Sequence, residues 1–322
     1  ILLDSIIGEL NANPIIYTEG SNKAKVYTKN GTITVLYKAL EEGSDVLKIK
    51  SGYEEIVFNL EISKAISYTD IYVSKSGNDI NDGLSNSTAV FTIERALEIA
   101  KEINSNVRIH ISSGTYKESG FELNGTYTED ELAKRTIYEF IGYGNVVIDG
   151  NGADKSIFSI RNNSASFTNI RFTNVNGPSR GGAILVRIND NGYLYEPNSR
   201  INADLTINKC TFDNINVTSS GGAIYYEYGS GRIDINNTKF YNLTAQSSQG
   251  GAIYVHESAN LAKLKITGSD FRDNFANNAG AMYLRVSNIT IKDTNFRNNS
   301  AANYPGAIGF YNASAYIENC II

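Results

Sequence analysis

The chain has 322 residues, of which 41% are hydrophobic and 20% are charged, and its formal net charge is −5. This composition suffices for a large buried core and excludes wholesale disorder. The acidic pI near 5.3, without a basic cluster in the sequence, argues against a nucleic-acid partner. No run of about 20 apolar residues occurs, so we expect no transmembrane segment in this chain.

Short alternating runs such as TITVLYKA and EEIVFNLEI fill the first part of the chain, with NGT and EEGS between runs. Alternation with a period of two, broken by turn residues, predicts antiparallel strands. We therefore expect residues 1–66 to form a small β-sandwich or immunoglobulin-like spacer without chemistry of its own. A second domain is expected over residues 71–322.

The second domain opens with one strand and one amphipathic helix. After the strand at Ile71, apolar residues recur at helical spacing on one face, at Ile93, Ala96, Leu97, Ala100 and Ile103. Thr92 has the residue type and position of an N-cap. A helix before a long series of strands is suited to cover the first open edge of a solenoid.

A repeat dominates the rest of the sequence. Two apolar residues five positions apart recur at Phe167/Phe172, Ile207/Phe212, Ile235/Phe240, Ile266/Phe271, Ile291/Phe296 and Ile317/Ile322. The first five pairs are each followed by a small-residue motif: GGAI at 181–184, 221–224 and 250–253, AGAM at 279–282 and PGAI at 305–308. Units of this length, rich in β-forming residues, predict the stacked coils of a parallel β-helix.

Particular residues mark the turns between the strands of each coil. Asn or Asp recurs two places after the second apolar residue, at Asn174, Asn214, Asn242, Asp273 and Asn298. These residue types tolerate the left-handed conformation and can form hydrogen-bonded ladders. The paired glycines of GGAI predict a second turn, where the backbone bends tightly or packs closely.

The two cysteines occupy one position of the repeat, two residues before the second apolar residue. Thr238, Ser269 and Thr294 hold the same position in the intervening coils. Cys210 and Cys320 are then four coils apart, roughly 19 Å, well beyond the ~7 Å that a disulfide can bridge. We expect two free, buried thiols and no metal site at them.

These motifs resemble known proteins. The segment YVSKSGNDINDG, with FTIERALEIA and SSGTY, resembles the start of right-handed parallel β-helix proteins of the pectin-lyase-like class. The GGAI and F-x-N repeats resemble those of chlamydial polymorphic outer-membrane proteins and, more closely, adhesin-like surface proteins of methanogenic archaea. The resemblance spans residues 71–322. It implies an all-β, right-handed parallel β-helix with an N-terminal capping helix, exposed at a cell surface.

The residues that chemistry would need are sparse. The sequence has two histidines, and no catalytic triad or known pectin-active motif can be assembled from it. Asp79 and Asp82 in the loop GNDINDG are calcium candidates, although turn-forming residues explain this loop equally well. We expect no cofactor and no catalytic residues.

A binding surface is expected on the strands that follow GGAI. Their outward rows are predicted to hold Tyr225, Tyr254 and Tyr283, with Arg187, Glu227, His256 and Arg285 in the row beside them. Such a stripe suits sugar rings or peptide. The alternative is tyrosine stacking that merely stabilises the sheet. A second candidate is the insertion INDNGYLYEPNSRINA, with Tyr193 and Tyr195 as anchors.

The sequence thus favours an extracellular adhesin-like protein that attaches to glycans or proteins of other cells. Its signal peptide and anchor are expected outside these residues. Ten N-x-S/T sequons fit a glycoprotein, although a chain rich in Asn, Ser and Thr also collects them by chance. Two other functions remain open: a lyase or hydrolase acting on acidic polysaccharide, and a structural spacer without a ligand.

Overall fold

A computed structural model of the chain describes the backbone of six strands within residues 1–62. It describes in full residues 66–103, 105–124, 136–187, 203–227, 231–256, 262–286, 288–304 and 306–322. The chain divides into two compact units, residues 1–67 and residues 68–322.

The first unit contains antiparallel strand pairs. Its strands are β1 (Ser5–Ile7), β2 (Ile16–Tyr17), β3 (Ala24–Lys25), β4 (Thr34–Leu36), β5 (Gly43–Ser51) and β6 (Glu54–Ile62). Strand β1 pairs with β4, β2 with β3, and β5 with β6 in a nine-residue hairpin register. The immunoglobulin-like assignment stays a prediction.

The second unit begins with β7 (Thr69–Val73), a 3₁₀ helix (Asn86–Thr88), helix α1 (Ile93–Ile103), β8 (Val107–Lys117), β9 (Phe121–Asn124) and the long strand β10 (Ile137–Ala153). Then follow β11 (Phe158–Arg161), β12 (Ser164–Thr168), β13 (Arg171–Asn176), β14 (Ile184–Val186), β15 (Leu205–Asn208), β16 (Thr211–Val217) and β17 (Ile224–Tyr226). The remaining strands are β18 (Arg232–Asn236), β19 (Lys239–Gln249), β20 (Ile253–Val255), β21 (Lys263–Thr267), β22 (Asp270–Arg272), β23 (Phe275–Asn278), β24 (Met282–Leu284), β25 (Asn288–Lys292), β26 (Asn295–Arg297), β27 (Ser300–Ala301), β28 (Ile308–Phe310) and β29 (Ala315–Glu318).

These strands stack in parallel, each on its equivalent in the next coil. One seven-stranded sheet has the order β28-β24-β20-β17-β14-β11-β9, and we call it the GGAI sheet. A 16-stranded sheet carries the ladders β26-β22-β19-β16-β13-β10 and β12-β15-β18-β21-β25-β29. The predicted fold class is confirmed: this unit is a right-handed parallel β-helix of about six turns.

Helix α1 packs on β7 and β8 at the start of the solenoid. The predicted apolar face is confirmed, with Ile93, Ala96, Leu97 and Ala100 at most 5% exposed. Thr92 is the N-cap, because its Oγ1 accepts a hydrogen bond of 3.1 Å from the amide of Arg95. The carboxylate of Glu118, at the end of the next strand, accepts from the amides of Ile93 and Glu94, so it fastens the helix to the first coils.

The repeated apolar residues form continuous rows through the core. The rings of Phe172, Phe212, Phe240, Phe271 and Phe296 stack in succession, with centroids 4.9, 5.0, 4.5 and 5.0 Å apart. Because one coil buries only part of each ring, its neighbours must supply the rest of the contact. The predicted stacking register is therefore correct.

The Asn and Asp residues take the left-handed conformation predicted for them. The φ angles of Asn174, Asn214, Asn242, Asp273 and Asn298 lie between 52° and 59°. Their side chains also bond between coils: Asn242 Nδ2 donates to Asn214 Oδ1 at 2.8 Å. Asn174 Nδ2 donates to Asp149 Oδ1 of the preceding coil, also at 2.8 Å.

The two glycines of GGAI share one structural requirement, the absence of a Cβ, and the first also needs a left-handed backbone. The first, as at Gly221 (φ 65°) and Gly250 (φ 66°), takes a left-handed conformation. Neither has room for a side chain: a Cβ on Gly221 would collide with the carbonyl oxygen of Ile224, and a Cβ on Gly222 with that of Gly251 in the next coil. A tight turn and a close approach thus explain the pair.

The cysteine position forms a row of small polar side chains. Cys210 and Cys320 are both free, as predicted; Cys210 is buried and Cys320 partly buried. Burial raises the pKa of the Cys210 thiol to about 12. In the same row, the hydroxyl of Thr238 donates to the carbonyl of Asn236 at 2.9 Å, and that of Ser269 donates to the carbonyl of Thr267 at 3.1 Å.

Candidate functional site

The outward rows predicted for the GGAI sheet are correctly registered. One row runs through successive coils as Glu122, Ser159, Leu185, Tyr225, Tyr254, Tyr283 and Gly309. The adjacent row holds Arg187, Glu227, His256, Arg285 and Tyr311, whose amides each donate to the preceding coil. The sheet therefore brings the predicted tyrosines and charged residues together on one face.

The expectation of an exposed tyrosine stripe is wrong for two of its three members. Tyr225 is 2% exposed and Tyr254 is 4% exposed, while Tyr283 is partly buried. Neighbouring rings stack with centroids 5.0 and 6.0 Å apart, and the Arg180 guanidinium lies 5.0 Å from the centroid of Tyr225. Rings that stack along the axis cover one another's faces, and a sugar would need an open face. Sequence periodicity indicates which way a side chain points, but not what lies over it.

The charged row makes contacts within the protein. Glu227 Oε1 pairs with Arg180 Nη1 at 3.4 Å and accepts from the Tyr225 hydroxyl at 3.5 Å. The His256 ring lies 5.9 Å from that of Tyr254, and the Arg285 guanidinium lies 4.3 Å from the centroid of Tyr311. These contacts hold the charged side chains against neighbouring residues of the same face.

A cavity of about 480 Å³ opens where the tyrosine row ends. Leu185 and Ser159 continue the row beyond Tyr225, and these smaller side chains leave space that a ring would fill. The turn Pro178–Arg180 forms part of the wall. The cavity is a consequence of the step from large to small side chains along one row.

Charges of both signs line this cavity. The cations are Lys155, Arg180 and Arg187, and the acids are Glu122, Asp154 and Glu227. Such a lining can donate hydrogen bonds to hydroxyl or carbonyl oxygens and accept them from hydroxyl groups. Of the predicted site residues, Arg187 and Glu227 therefore belong to the cavity, and the three tyrosines do not line it.

The calcium candidates have structural roles. Asp79 Oδ1 accepts from the amides of Phe91 and Thr92 at 2.7 and 2.9 Å, and Oδ2 accepts from the Thr92 hydroxyl at 3.0 Å. Asp82 Oδ1 accepts from the amide of Leu84, and hydrogen bonds, first from Thr88, lower its pKa. Within the fully described ranges, no three His, Cys, Asp or Glu side chains are grouped as metal ligands.

Tyr193 and Tyr195 lie outside the described residues, so the insertion stays a sequence prediction.

A hydrogen-bonded set on the first coils, formed by Asp70, His110 and Tyr143, could not be predicted from the sequence. The sequence alone presents His110 only as an outward residue of the alternating strand VRIHI, because its two partners lie 40 and 33 positions away in the chain.

Comparisons of the sequence with known families reach only a short part of the chain. A family described as the Chlamydia polymorphic membrane protein repeat matches residues 209–227, which include Phe212 and the GGAI motif at 221–224. No curated protein sequence matches the chain significantly. Among the helices in the described part of the chain, none is long and apolar enough to cross a bilayer.

One solved structure found by comparison is the pectin methylesterase from Aspergillus niger in deglycosylated form. It is 10% identical in sequence, and the match covers 80% of this chain and 87% of that chain. The TM-score is 0.30, so this likeness carries no conclusion about activity.

Proposed function

We propose that this chain is the β-helical part of a cell-surface protein, and that it attaches to glycans or proteins of other cells through the side of the helix. The match of residues 209–227 to a polymorphic membrane protein repeat supports a surface protein. A parallel β-helix also suits this role, because stacked coils give a stiff rod with long, regular sides.

The cavity beside Tyr225 is the ligand site of this proposal, and it is the observation that carries it. Its volume of about 480 Å³ lies within the range of ordinary ligand pockets, roughly 300–1,000 Å³. Lys155, Arg180 and Arg187 face Glu122, Asp154 and Glu227 around it, so donors and acceptors converge on the same space. This balance of charge favours a hydroxyl-rich, uncharged sugar unit over a polyanion.

A structural spacer without a ligand is the second candidate, and the buried tyrosines favour it. Tyr225 and Tyr254 stack at 5.0 Å on the outward face and are almost inaccessible, which is what a purely stabilising row requires. A spacer does not need the cavity, however. The two functions therefore differ in whether the cavity is occupied by any ligand.

An enzyme acting on polysaccharide is the third candidate. It is favoured by three carboxylates, those of Glu122, Asp154 and Glu227, which share one cavity with two arginines. Paired carboxylates are the usual acid and base of glycoside hydrolysis. Two of these three carboxylates would then cleave the bound polysaccharide, so binding would be followed by the release of shorter products.

One experiment separates the three candidates. The chain is applied to a glycan array and to intact cells, and the retained glycans are then incubated with it and analysed for shorter products. Saturable binding without products supports attachment. Products that accumulate with time would replace the proposal with an enzyme, and no binding to any glycan or cell would leave the spacer.

A further inference from the structure

The outward face of the first coils carries a second arrangement of reactive groups, separate from the cavity. Strands β7, β8 and β10 are paired in parallel there, with Tyr72 opposite His110 and Asp70 opposite Arg108. Tyr143 lies two residues beyond Ile141, the partner of His110 in β10. His110 is thus placed between Asp70 on one side and Tyr143 on the other.

Hydrogen bonds join these three side chains in a line. His110 Nε2 lies 2.8 Å from Asp70 Oδ1, and His110 Nδ1 lies 2.8 Å from the Tyr143 hydroxyl. A carboxylate can only accept, so Nε2 carries a hydrogen and donates it to Asp70. In the neutral imidazole Nδ1 is then the acceptor, and the Tyr143 hydroxyl donates to it.

Aromatic stacking fixes the orientation of the imidazole. The His110 ring lies 4.7 Å from the ring of Tyr72 at an angle of 12°, and 5.6 Å from that of Tyr143 at 27°. The imidazole is thus stacked against two rings and hydrogen-bonded at both nitrogens. Tyr143, His110 and Asp70 are therefore arranged as a nucleophile, its general base and the carboxylate that orients the base, as in other activated nucleophiles.

Arg108 and Glu139 form an ion pair beside Asp70. Arg108 Nε pairs with Glu139 at 2.8 Å, and its Nη1 lies 3.8 Å from Asp70 Oδ1. The guanidinium also lies 4.6 Å from the centroid of the Tyr68 ring. Together Asp70, Glu139 and Arg108 place one net negative charge beside the imidazole.

Tyr143 differs from the other tyrosines of these coils in being accessible. It is 51% exposed, whereas Tyr116 is fully buried and its hydroxyl donates to the carbonyl of Ser112. Tyr68 is held as a neutral phenol, since burial and a hydrogen bond to Glu139 raise its pKa to about 12. Tyr143 is therefore accessible to solvent, and its hydroxyl is hydrogen-bonded to the imidazole of His110.

We propose that Tyr143 is an activated phenol that accepts acyl groups from esters, with His110 as its general base and Asp70 as a positioning residue. The phenol oxygen bonds to the acyl carbon while its proton passes to His110 Nδ1. The bond between the acyl carbon and the ester oxygen breaks, and the leaving alcohol takes the proton from His110. The product is a tyrosine ester on the surface of the first coils.

The test uses p-nitrophenyl acetate as the acyl donor with the full chain. Acetylation of each tyrosine is followed by peptide mass spectrometry, and hydroxylamine identifies the phenyl esters by cleaving them. Tyr304, which is 65% exposed at the other end of the helix, serves as the internal reference. Tyr143 is expected to react on the order of 10²-fold faster than Tyr304, the usual effect of a positioned base.

Two variants test the role of each partner. His110→Gln removes the base. Asp70→Asn replaces a carboxylate, which can only accept, by an amide that can also donate, so the imidazole tautomer is no longer fixed. Each variant is expected to lower the Tyr143 rate to that of Tyr304 while the rate of Tyr304 itself is unchanged. Circular dichroism and the Tm verify that each variant is folded. If His110→Gln does not fold, Asp70→Asn still tests the proposal. The proposal is overturned if Tyr143 reacts no faster than Tyr304, or if its rate survives both substitutions in folded protein.

Discussion

The ring of Phe240 lies almost parallel to the ring of Phe271 in the next coil, with centroids 4.5 Å apart and planes inclined by 5°. Both rings are fully buried, and the row continues to Phe212 on one side and to Phe296 on the other. Each coil therefore depends on its neighbours for most of its apolar contact. The stability of the helix is shared along this row rather than held in separate coils.

Truncation of this row is expected to be costly. Phe240→Ala removes a buried ring between two others, so the free energy of unfolding should fall by about 3–5 kcal/mol. Phe240→Leu keeps more of the volume and should cost less. Chemical denaturation followed by circular dichroism measures both. Equal losses for the two variants would show that the stacked contact does not carry the stability.

The paired glycines should respond differently to alanine. Gly251→Ala would place a Cβ against the carbonyl oxygen of Gly280, so the backbone of two coils must move. Gly250→Ala adds a left-handed alanine, at a cost of about 1–2 kcal/mol, and its Cβ would meet the carbonyl group of Ile253 within the same coil. The equivalent Ala279 in the next coil, with φ 56°, shows that this position can accommodate a Cβ. We expect the Tm to fall more for Gly251→Ala. The reverse order would contradict the explanation given for the motif.

The thiol of Cys210 should be inert in the folded protein. Its pKa is raised by burial to about 12, so the thiol stays neutral at pH 8, and the neutral form is not nucleophilic. We expect no reaction of Cys210 with a thiol reagent such as DTNB until the protein is unfolded by guanidinium. Mass spectrometry assigns the label, and Cys210→Ser supplies the control. Labelling of Cys210 in folded protein would contradict this burial.

Asp79 is expected to act as a helix anchor. Its carboxylate accepts three hydrogen bonds at the start of α1, so Asp79→Ala should cost about 1–2 kcal/mol, as the loss of a cap does. Asp82→Ala, which removes the hydrogen bonds with Leu84 and Thr88 at an exposed position, is the matched control and should cost less. Added Ca²⁺ should leave the Tm unchanged. A rise in Tm with Ca²⁺ that depends on both aspartates would instead establish a calcium site.

Much of the fold could be predicted because it repeats. The spacing of Phe172, Phe212 and Phe240 gave the stacking register, and the recurrent Asn gave the left-handed turns. A residue that recurs once per coil must meet its own equivalent, so pattern alone places it. The rows of the GGAI sheet followed for the same reason.

The site was harder to predict, since it depends on what breaks the repeat. The cavity exists because Leu185 and Ser159 replace rings at one end of the tyrosine row, and because the turn at Arg180 lies beside them. The contact between His110 and Tyr143 joins two early coils of irregular length, which have no common motif. Periodicity cannot place residues that occur once.

The most direct test of surface attachment through the cavity is the affinity of a cavity-filling variant. Leu185→Tyr extends the tyrosine row by one ring into the cavity, and Thr206→Tyr adds the same ring to the outward face of β15 as a control. Binding of each to the best glycan or cell type from the array is measured at equal concentration. Loss of binding for Leu185→Tyr alone is the predicted result, and binding that persists in a folded Leu185→Tyr variant would contradict it.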